Sequence, residues 1–254
     1  MKVTALQMSI RWTDVKSNAI TARKLISNAS ASDLYVLPEM WGTGFITDPH
    51  NMDGEGADAL EWMQTMATEH DAAVCGSLPI HDQGKYYNRH FFIKPDGSRC
   101  YYDKHHLFSH GGEDRFYQSG TRRTVAEWRG WRFLLLTCYD LRFPMWCRCQ
   151  EDYDAAIVVA NWPEQRTDAW DILTKARAIE NQCFLVGCNR VGDDPSNHYI
   201  GRSVILTPEG KELDKGADDQ EVAITSNLSL DVLRHSREHF TALKERDQIL
   251  LNRN

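Results

Sequence analysis

Short apolar runs, each about as long as a buried β-strand, alternate along this chain with amphipathic stretches. The runs predict strands at Val3–Met8, Leu34–Pro38, Ala72–Leu78, Phe133–Thr137, Ala155–Ala160, Phe184–Cys188, Ser203–Leu206 and Val222–Thr225. Apolar residues spaced three and four apart predict helices over 18–29, 57–70, 167–181 and 229–239. Pro95-Asp96-Gly97 predicts a turn between two further strands, His90–Lys94 and Arg99–Tyr102. Because strands and helices alternate while the later strands form hairpins, the sequence predicts an α/β (α+β) fold with partly antiparallel sheets.

The chain is acidic and has no segment that resembles an interdomain linker. Its 254 residues carry a formal net charge of −7, which argues against non-specific binding to nucleic acid or to an anionic membrane. Since it has no internal repeat and no linker rich in Pro, Gly or Ser, residues 1–254 are expected to form a single domain. No apolar run approaches the ~20 residues that a membrane helix needs. The N-terminus lacks a signal-peptide pattern and the cysteines number seven, so we expect reduced thiols in a cytoplasmic protein.

Several of the predicted strands run directly into polar or reactive side chains. Glu39, Cys138 and Asn161 each follow a buried apolar run. Because the carboxyl ends of strands in α/β sheets border the ligand crevice, we expect Glu39 and Cys138 to share one site. Lys104 follows a hairpin strand and lies among aromatic residues, where its charge would be available to stabilise an anion.

Glutamate, lysine and cysteine side chains together indicate acyl transfer from an amide through a thioester. A thiol is a weak nucleophile until it loses its proton, so Cys138 needs a base, and Glu39 is the candidate. Lys104 and the backbone N–H of Tyr139 would hold the oxyanion of the tetrahedral intermediate. Glu39 would then return its proton to the leaving amine and activate water.

Three short motifs in this order resemble the nitrilase (carbon–nitrogen hydrolase) superfamily. They are Leu37-Pro38-Glu39-Met40, Lys104-His105-His106-Leu107-Phe108 and 137–144, Thr-Cys-Tyr-Asp-Leu-Arg-Phe-Pro. The stretches 160–163 and 176–182 look most similar to the omega-amidase branch. The resemblance covers nearly the whole chain. It implies a four-layer α-β-β-α sandwich with two mixed β-sheets, and assembly into a homodimer or homotetramer.

The same resemblance implies a substrate class and further site residues. Omega-amidases act on monoamides of dicarboxylic acids such as 2-oxoglutaramate, so Arg142 would bind the substrate carboxylate through two parallel hydrogen bonds. Phe45, Trp162 and Phe143 would form walls of the pocket. Glu113 would be a second, supporting glutamate near the lysine. The reaction would use a small amide and water, with neither cofactor nor metal.

Other readings of the same residues stay open at this point. Cys138 could be a buried structural thiol, and Lys104 or Glu113 a surface charge. Arg142 could form a structural ion pair with Asp140 or Glu151. Within the superfamily, the substrate could instead be deaminated glutathione, an N-carbamoyl compound or a nitrile. From another class, the chain could be a catalytically silent binding protein.

Overall fold

Two six-stranded mixed β-sheets lie face to face in the computed structural model, which describes residues 1–50 and 55–247, apart from the side chain of Glu55. The first sheet contains β1 (Lys2–Gln7), β2 (Leu34–Val36), β3 (Ala73–Asp82), β4 (Lys85–Ile93), β5 (Arg99–Asp103) and β14 (Val222–Asn227). The second contains β6 (Val125–Trp128), β7 (Trp131–Thr137), β8 (Ala155–Ala160), β9 (Phe184–Asn189), β12 (Val204–Leu206) and β13 (Glu212–Lys215). A small hairpin, β10 (Val191–Asp193) and β11 (His198–Ile200), stands apart from both sheets.

Each sheet has a parallel centre and antiparallel edges. The strand order is β14-β1-β2-β3-β4-β5 in the first sheet, where β1, β2 and β3 are parallel. The order is β13-β12-β9-β8-β7-β6 in the second, where β7, β8 and β9 are parallel. The carboxyl ends of three neighbouring parallel strands therefore lie together in each sheet.

Helices cover the two outer faces of the paired sheets. They are α1 (Val15–Asn28), α2 (Glu55–Glu69), α3 (Pro144–Cys147), α4 (Thr167–Asn181) and α5 (Leu230–His239). Short 3₁₀ helices span Ser109–Gly111, Glu113–Arg115, Cys138–Arg142, Glu164–Arg166 and Ala242–Glu245. Helix α1 begins where the Asp14 side chain accepts a hydrogen bond from the Ser17 N–H. Helix α5 begins in the same way, where the Ser229 side chain accepts from the Val232 N–H.

The alternation of side chains along each strand builds two apolar layers around the first sheet. On β2, Leu34 and Val36 belong to the cluster between the sheets, whereas Tyr35 packs in the cluster under α1 and α2. The two sheets meet at Phe92 and Phe133, whose rings stack with centroids 5.8 Å apart. The layers therefore follow the order helix, sheet, sheet, helix, and the predicted four-layer sandwich with two mixed sheets is confirmed.

Helix α4 packs on the outer face of the second sheet through one close contact with a glycine. Trp170 of α4 packs directly on Gly187 of β9, where an added Cβ would lie 2.9 Å from the indole ring. Glycine at this position lets the helix lie against the sheet without a steric clash.

The sequence predicts most central elements and misses several edges. The turn at Pro95-Asp96-Gly97 joins β4 to β5 as expected. Strand β3 continues beyond Leu78 to form a long hairpin with β4, which turns at Gln83 and Gly84, both with positive φ. Strands β6 and β13 and the small hairpin were not predicted, because edge strands carry polar residues that break the apolar pattern.

A buried histidine makes the stability of this fold depend on pH. His90 on β4 is fully buried, and its Nδ1 lies 3.2 Å from the carbonyl oxygen of Leu136. Burial lowers the pKa of His90 from 6.5 to about 4. The unfolded chain binds this proton at a higher pH than the folded chain, so the free energy of unfolding falls as pH falls through that window.

We expect the free energy of unfolding to fall by up to about 3 kcal/mol between pH 7 and pH 4 because of His90. The measurement is urea unfolding at a series of pH values for wild type and His90→Gln. The variant should lose less stability than wild type over this range, whatever its stability at pH 7. Equal losses in the two proteins would rule out His90 as the source.

Candidate active site

A lysine lies between two glutamates in the interior of the protein. Lys104 Nζ is 2.9 Å from Glu39 Oε1 and 2.8 Å from Glu113 Oε2, and all three side chains have zero solvent exposure. Burial opposes the charge on Lys104, but the carboxylates of Glu113 and Glu39 outweigh it and hold the lysine pKa above its ordinary value. The pKa of Glu113 is also raised, by burial and by repulsion from Glu39. The alternative that Lys104 or Glu113 is a surface charge is excluded.

Three separate chain segments supply this ion cluster. Glu39 lies in the turn after β2, Lys104 directly follows β5, and Glu113 begins a 3₁₀ helix. That helix starts after Gly112, which has a positive φ of 79°. Glu113 Oε2 also accepts a hydrogen bond of 2.7 Å from the N–H of Phe108, so it fixes the loop that follows the lysine.

Two asparagines hold the carboxylates in place. Asn88 on β4 donates from Nδ2 to Glu39 Oε1 at 2.8 Å and to Glu113 Oε1 at 2.9 Å. The backbone N–H of Asn161, just after β8, donates to Glu39 Oε2 at 2.9 Å, and its side chain donates to the Glu39 carbonyl oxygen. Sequence reasoning missed Asn88 because nothing in its strand distinguishes it, whereas Asn161 was visible as a polar residue after a buried run.

The Cys138 thiol lies at the point where β7 passes into a 3₁₀ helix. Its φ of 45° is in the left-handed region, which is strained for a residue with a side chain. Cys138 is a half-buried residue that lines a cavity, and its Sγ lies 3.9 Å from the carbonyl oxygen of Asn161. Burial and the nearby Glu39 carboxylate raise its pKa well above the ordinary value, although Lys104 opposes them. The resting thiol is therefore protonated.

Asp140 ties the cysteine turn to the lysine loop. Its carboxylate accepts hydrogen bonds from the N–H of Thr137 at 3.0 Å and from the Tyr102 hydroxyl at 2.8 Å. It also accepts from the backbone N–H of His106 at 3.0 Å and lies 2.8 Å from the His106 ring. Asp140 is fully buried, so these four contacts replace its hydration.

The cavity beside Cys138 has a volume of about 410 Å³ and is lined by aromatic and cationic side chains. Of the residues expected to bind substrate, Phe45, Arg142 and Trp162 line it, and so does Tyr139, the expected backbone donor to the oxyanion. Phe143 does not, contrary to the expectation from the sequence. After the 3₁₀ turn its ring stacks on His106 with centroids 3.6 Å apart, and Asp140 fixes that histidine.

Arg142 extends over the Trp162 ring, with its guanidinium carbon 4.9 Å from the ring centroid. It forms no ion pair with any residue that the structure describes. The carboxylates proposed as structural partners are engaged elsewhere, since Asp140 binds His106 and Glu151 binds Arg246. A guanidinium that faces a cavity without a carboxylate partner is available to an anionic ligand.

Two further kinds of feature are absent from residues 1–50 and 55–247. No helix there is long and apolar enough to cross a membrane. No cluster of three or more His, Cys, Asp or Glu side chains there is arranged to hold a metal ion.

The chain is similar to known proteins in both sequence and structure. The family described as carbon-nitrogen hydrolase matches residues 2–238. The chain is 41% identical to omega-amidase YafV of Yersinia enterocolitica, over 99% of this chain and 98% of that protein. It is 33% identical to 2-oxoglutaramate amidase of Bacillus subtilis, covering 87% and 88% of the two chains. The crystal structure of XC1258 from Xanthomonas campestris, a CN-hydrolase superfamily protein, superposes with a TM-score of 0.93 at 36% identity and covers 99% of both chains.

The ion cluster predicts an asymmetric response to neutralising substitutions. Lys104→Met leaves two carboxylates buried without a cation, so we expect it to lower the free energy of unfolding by about 3–5 kcal/mol. The triple variant Lys104→Met/Glu39→Gln/Glu113→Gln removes all three charges and should recover much of that loss.

Denaturant unfolding of both variants measures the effect. Lys175→Met is the control, because Lys175 pairs with Glu212 at the surface and should change stability by less than about 1 kcal/mol. Two results would contradict this account of the cluster. One is a Lys104→Met variant as stable as wild type, and the other is a triple variant less stable than Lys104→Met.

Proposed function

The chain belongs to the carbon–nitrogen hydrolase family, and from this we propose that it is a thiol amidase of the omega-amidase type. In this proposal it releases ammonia from a monoamide of a dicarboxylic acid, such as 2-oxoglutaramate. The observation that carries the proposal is the Arg142 guanidinium, which has no carboxylate partner among the described residues and lines the same cavity as the Cys138 thiol. The names of the relatives in Yersinia enterocolitica and Bacillus subtilis support the same substrate class.

Cys138 is the nucleophile and Glu39 its base. The thiol rests protonated, because burial and Glu39 raise its pKa. As Sγ attacks the amide carbon, the thiol proton passes to Glu39 and the carbonyl becomes an oxyanion. Glu39 is held for this transfer by donors on both of its oxygens, from Lys104, Asn88 and Asn161.

Lys104 and the Tyr139 backbone stabilise the oxyanion. A lysine ammonium has three N–H donors, of which two bind Glu39 and Glu113, so one remains for the developing negative charge. The N–H of Tyr139 lies in the first turn of its 3₁₀ helix, where a backbone donor has no acceptor within the helix. Glu113 supports the reaction by positioning Lys104.

The intermediate collapses as the C–N bond breaks. Glu39 returns the proton to the nitrogen, which leaves as ammonia, and the acyl group stays on Cys138 as a thioester. Water then attacks the thioester with Glu39 as base. The C–S bond breaks, the proton returns to sulfur and the carboxylate product leaves, so neither a cofactor nor a metal is needed for the balance.

The proposal extends to the organisation of the protein. We infer that residues 1–254 act as one domain, since both sheets contribute to the same site. The seven cysteines are free thiols, which supports a cytoplasmic location. Ile172 and Ile179 lie seven residues apart on α4 and are 66% and 52% exposed, which supports assembly into a homodimer or homotetramer.

The proposed chemistry predicts Cys138-dependent ammonia release. Wild type should release ammonia from 2-oxoglutaramate and succinamate, and much less from asparagine or a simple nitrile. Cys138→Ala should stay folded and lose at least about 10³-fold in turnover, because the covalent route is removed. Cys100→Ala, at a partly exposed thiol outside the cavity, is the matched control and should keep wild-type activity.

The outcomes separate the alternatives. Release only from another amide or from a nitrile would keep the hydrolase and reject the acidic substrate. No release from any compound, with Cys138 alkylated by iodoacetamide no faster than Cys100, would favour a silent binding protein.

Arg142 should select for the substrate carboxylate. We expect Arg142→Met to lower kcat/KM for succinamate by about 10-fold to 100-fold, because a charged hydrogen-bond pair is lost. The same variant should change hydrolysis of neutral butyramide by less than about twofold. Equal losses on the two amides would mean that Arg142 has a structural role.

A further inference from the structure

A second arginine faces the same cavity and has no part in the mechanism above. Arg166 ends the 3₁₀ helix Glu164–Arg166 and lines the cavity together with Cys138 and Arg142. Its guanidinium carbon lies 5.0 Å from the centroid of the Phe108 ring. Within residues 1–50 and 55–247, no carboxylate forms an ion pair with it.

The fold fixes the backbone of Arg166 through Trp162. The Trp162 indole N–H donates to the Arg166 carbonyl oxygen at 2.7 Å, and the Arg166 N–H donates to the Pro163 carbonyl oxygen at 3.0 Å. The ring of Trp162 also carries Arg142. The short segment after β8 therefore supplies Arg166 and also the Trp162 ring on which Arg142 lies.

The acidic groups around this cavity bind partners other than the two arginines that line it. Glu39 and Glu113 bind Lys104. Asp194, which lines the cavity, accepts hydrogen bonds from the Tyr199 hydroxyl and from two backbone N–H groups of its own loop. In the described part of the chain, neither Arg142 nor Arg166 forms an ion pair, although the Asp194 carboxylate lines the same cavity.

A third arginine lies behind the cavity wall, next to Tyr199. Arg190 is fully buried beneath Tyr199, with its guanidinium carbon 4.6 Å from the centroid of that ring. It donates only to backbone carbonyl oxygens, among them those of Ile10 and Asp193. It forms no hydrogen bond with a carboxylate in residues 1–50 and 55–247, but the neighbouring Asp193 and Asp194 carboxylates offset part of its charge.

We propose that Arg166 recognises the substituent next to the remote carboxylate of the substrate, and that it selects amides of 2-oxo acids. This inference rests on the proposed function. The substrate carboxylate binds the Arg142 guanidinium through two parallel hydrogen bonds. The N–H groups of Arg166 then remain free to donate to an acceptor next to that carboxylate. A carbonyl oxygen at carbon 2 accepts such a bond, a methylene group does not, and an ammonium group is repelled by the cation.

Three amides of the same length test the proposal because they differ only at carbon 2. Glutaramate has a methylene group there, 2-oxoglutaramate a carbonyl group and glutamine an ammonium group. Wild type should hydrolyse 2-oxoglutaramate best and glutamine least. Arg166→Met should lower kcat/KM for 2-oxoglutaramate about 10-fold more than for glutaramate, since the lost hydrogen bond exists only with the first. Arg166→Met should also reduce the difference in kcat/KM between glutaramate and glutamine, because the cation that repels the ammonium group is gone.

Two variants serve as controls. Arg166→Lys keeps a cation and a donor, so it should retain part of the preference for the 2-oxo acid. Arg234→Met removes an exposed arginine of α5 that does not line the cavity, and it should leave all three rates unchanged.

Two results would overturn the inference. One is an Arg166→Met variant with the wild-type ratio of 2-oxoglutaramate to glutaramate hydrolysis. The other is an equal loss on all three compounds and on butyramide, which would indicate a structural arginine. After either result, the omega-amidase proposal still stands if wild type hydrolyses acidic amides. A wild type that is inactive on all acidic amides would reject the omega-amidase proposal and the role of Arg166 together.

Discussion

The contact of Lys104 with two glutamates is the interaction on which the rest of the site depends. An ammonium group with no solvent exposure is costly unless opposite charges and hydrogen bonds replace its hydration, and here Glu39 and Glu113 do so at 2.9 and 2.8 Å. Since the three residues come from three separate segments, the cluster also holds those segments in a fixed arrangement. A lone lysine or a lone glutamate at this depth would instead shift toward its neutral form.

The second requirement is that two sheets face each other with their strand ends aligned. Glu39 follows a strand of the first sheet, while Cys138 and Asn161 follow neighbouring strands of the second. Asn161 connects the sheets, because its backbone N–H and its side chain both donate to Glu39. The thiol, the carboxylate and the ammonium group are therefore positioned at or near the ends of strands, which gives the fixed arrangement that acyl transfer needs.

The sequence predicts the parts of this site that mark the ends of apolar runs. Glu39 and Cys138 are recognisable because each interrupts a strand-forming stretch, and the order of glutamate, lysine and cysteine makes the family resemblance visible. Asn88 gives no such signal, because an asparagine within a strand has the same appearance whether it faces solvent or a buried carboxylate.

Side-chain direction is the property that the sequence leaves open. Phe143 was expected in the pocket, but the turn that follows Cys138 directs its ring onto His106. Arg166 lies in a polar stretch that has the composition of an ordinary loop. It lines the cavity in the folded protein, where the Trp162 indole N–H binds its carbonyl oxygen. The spacing of residues along a chain fixes which elements form, whereas the direction of side chains in irregular turns depends on tertiary contacts.

The central claim is that Cys138 carries the acyl group of an acidic amide. It is tested most directly by acid-quenching the enzyme during turnover of succinamate and measuring the intact mass, followed by peptide mapping. The account predicts a protein species heavier by one succinyl group, with the group on the peptide that contains Cys138. Rapid turnover with no acylated species at any quench time, or a succinyl group on another residue, would contradict it.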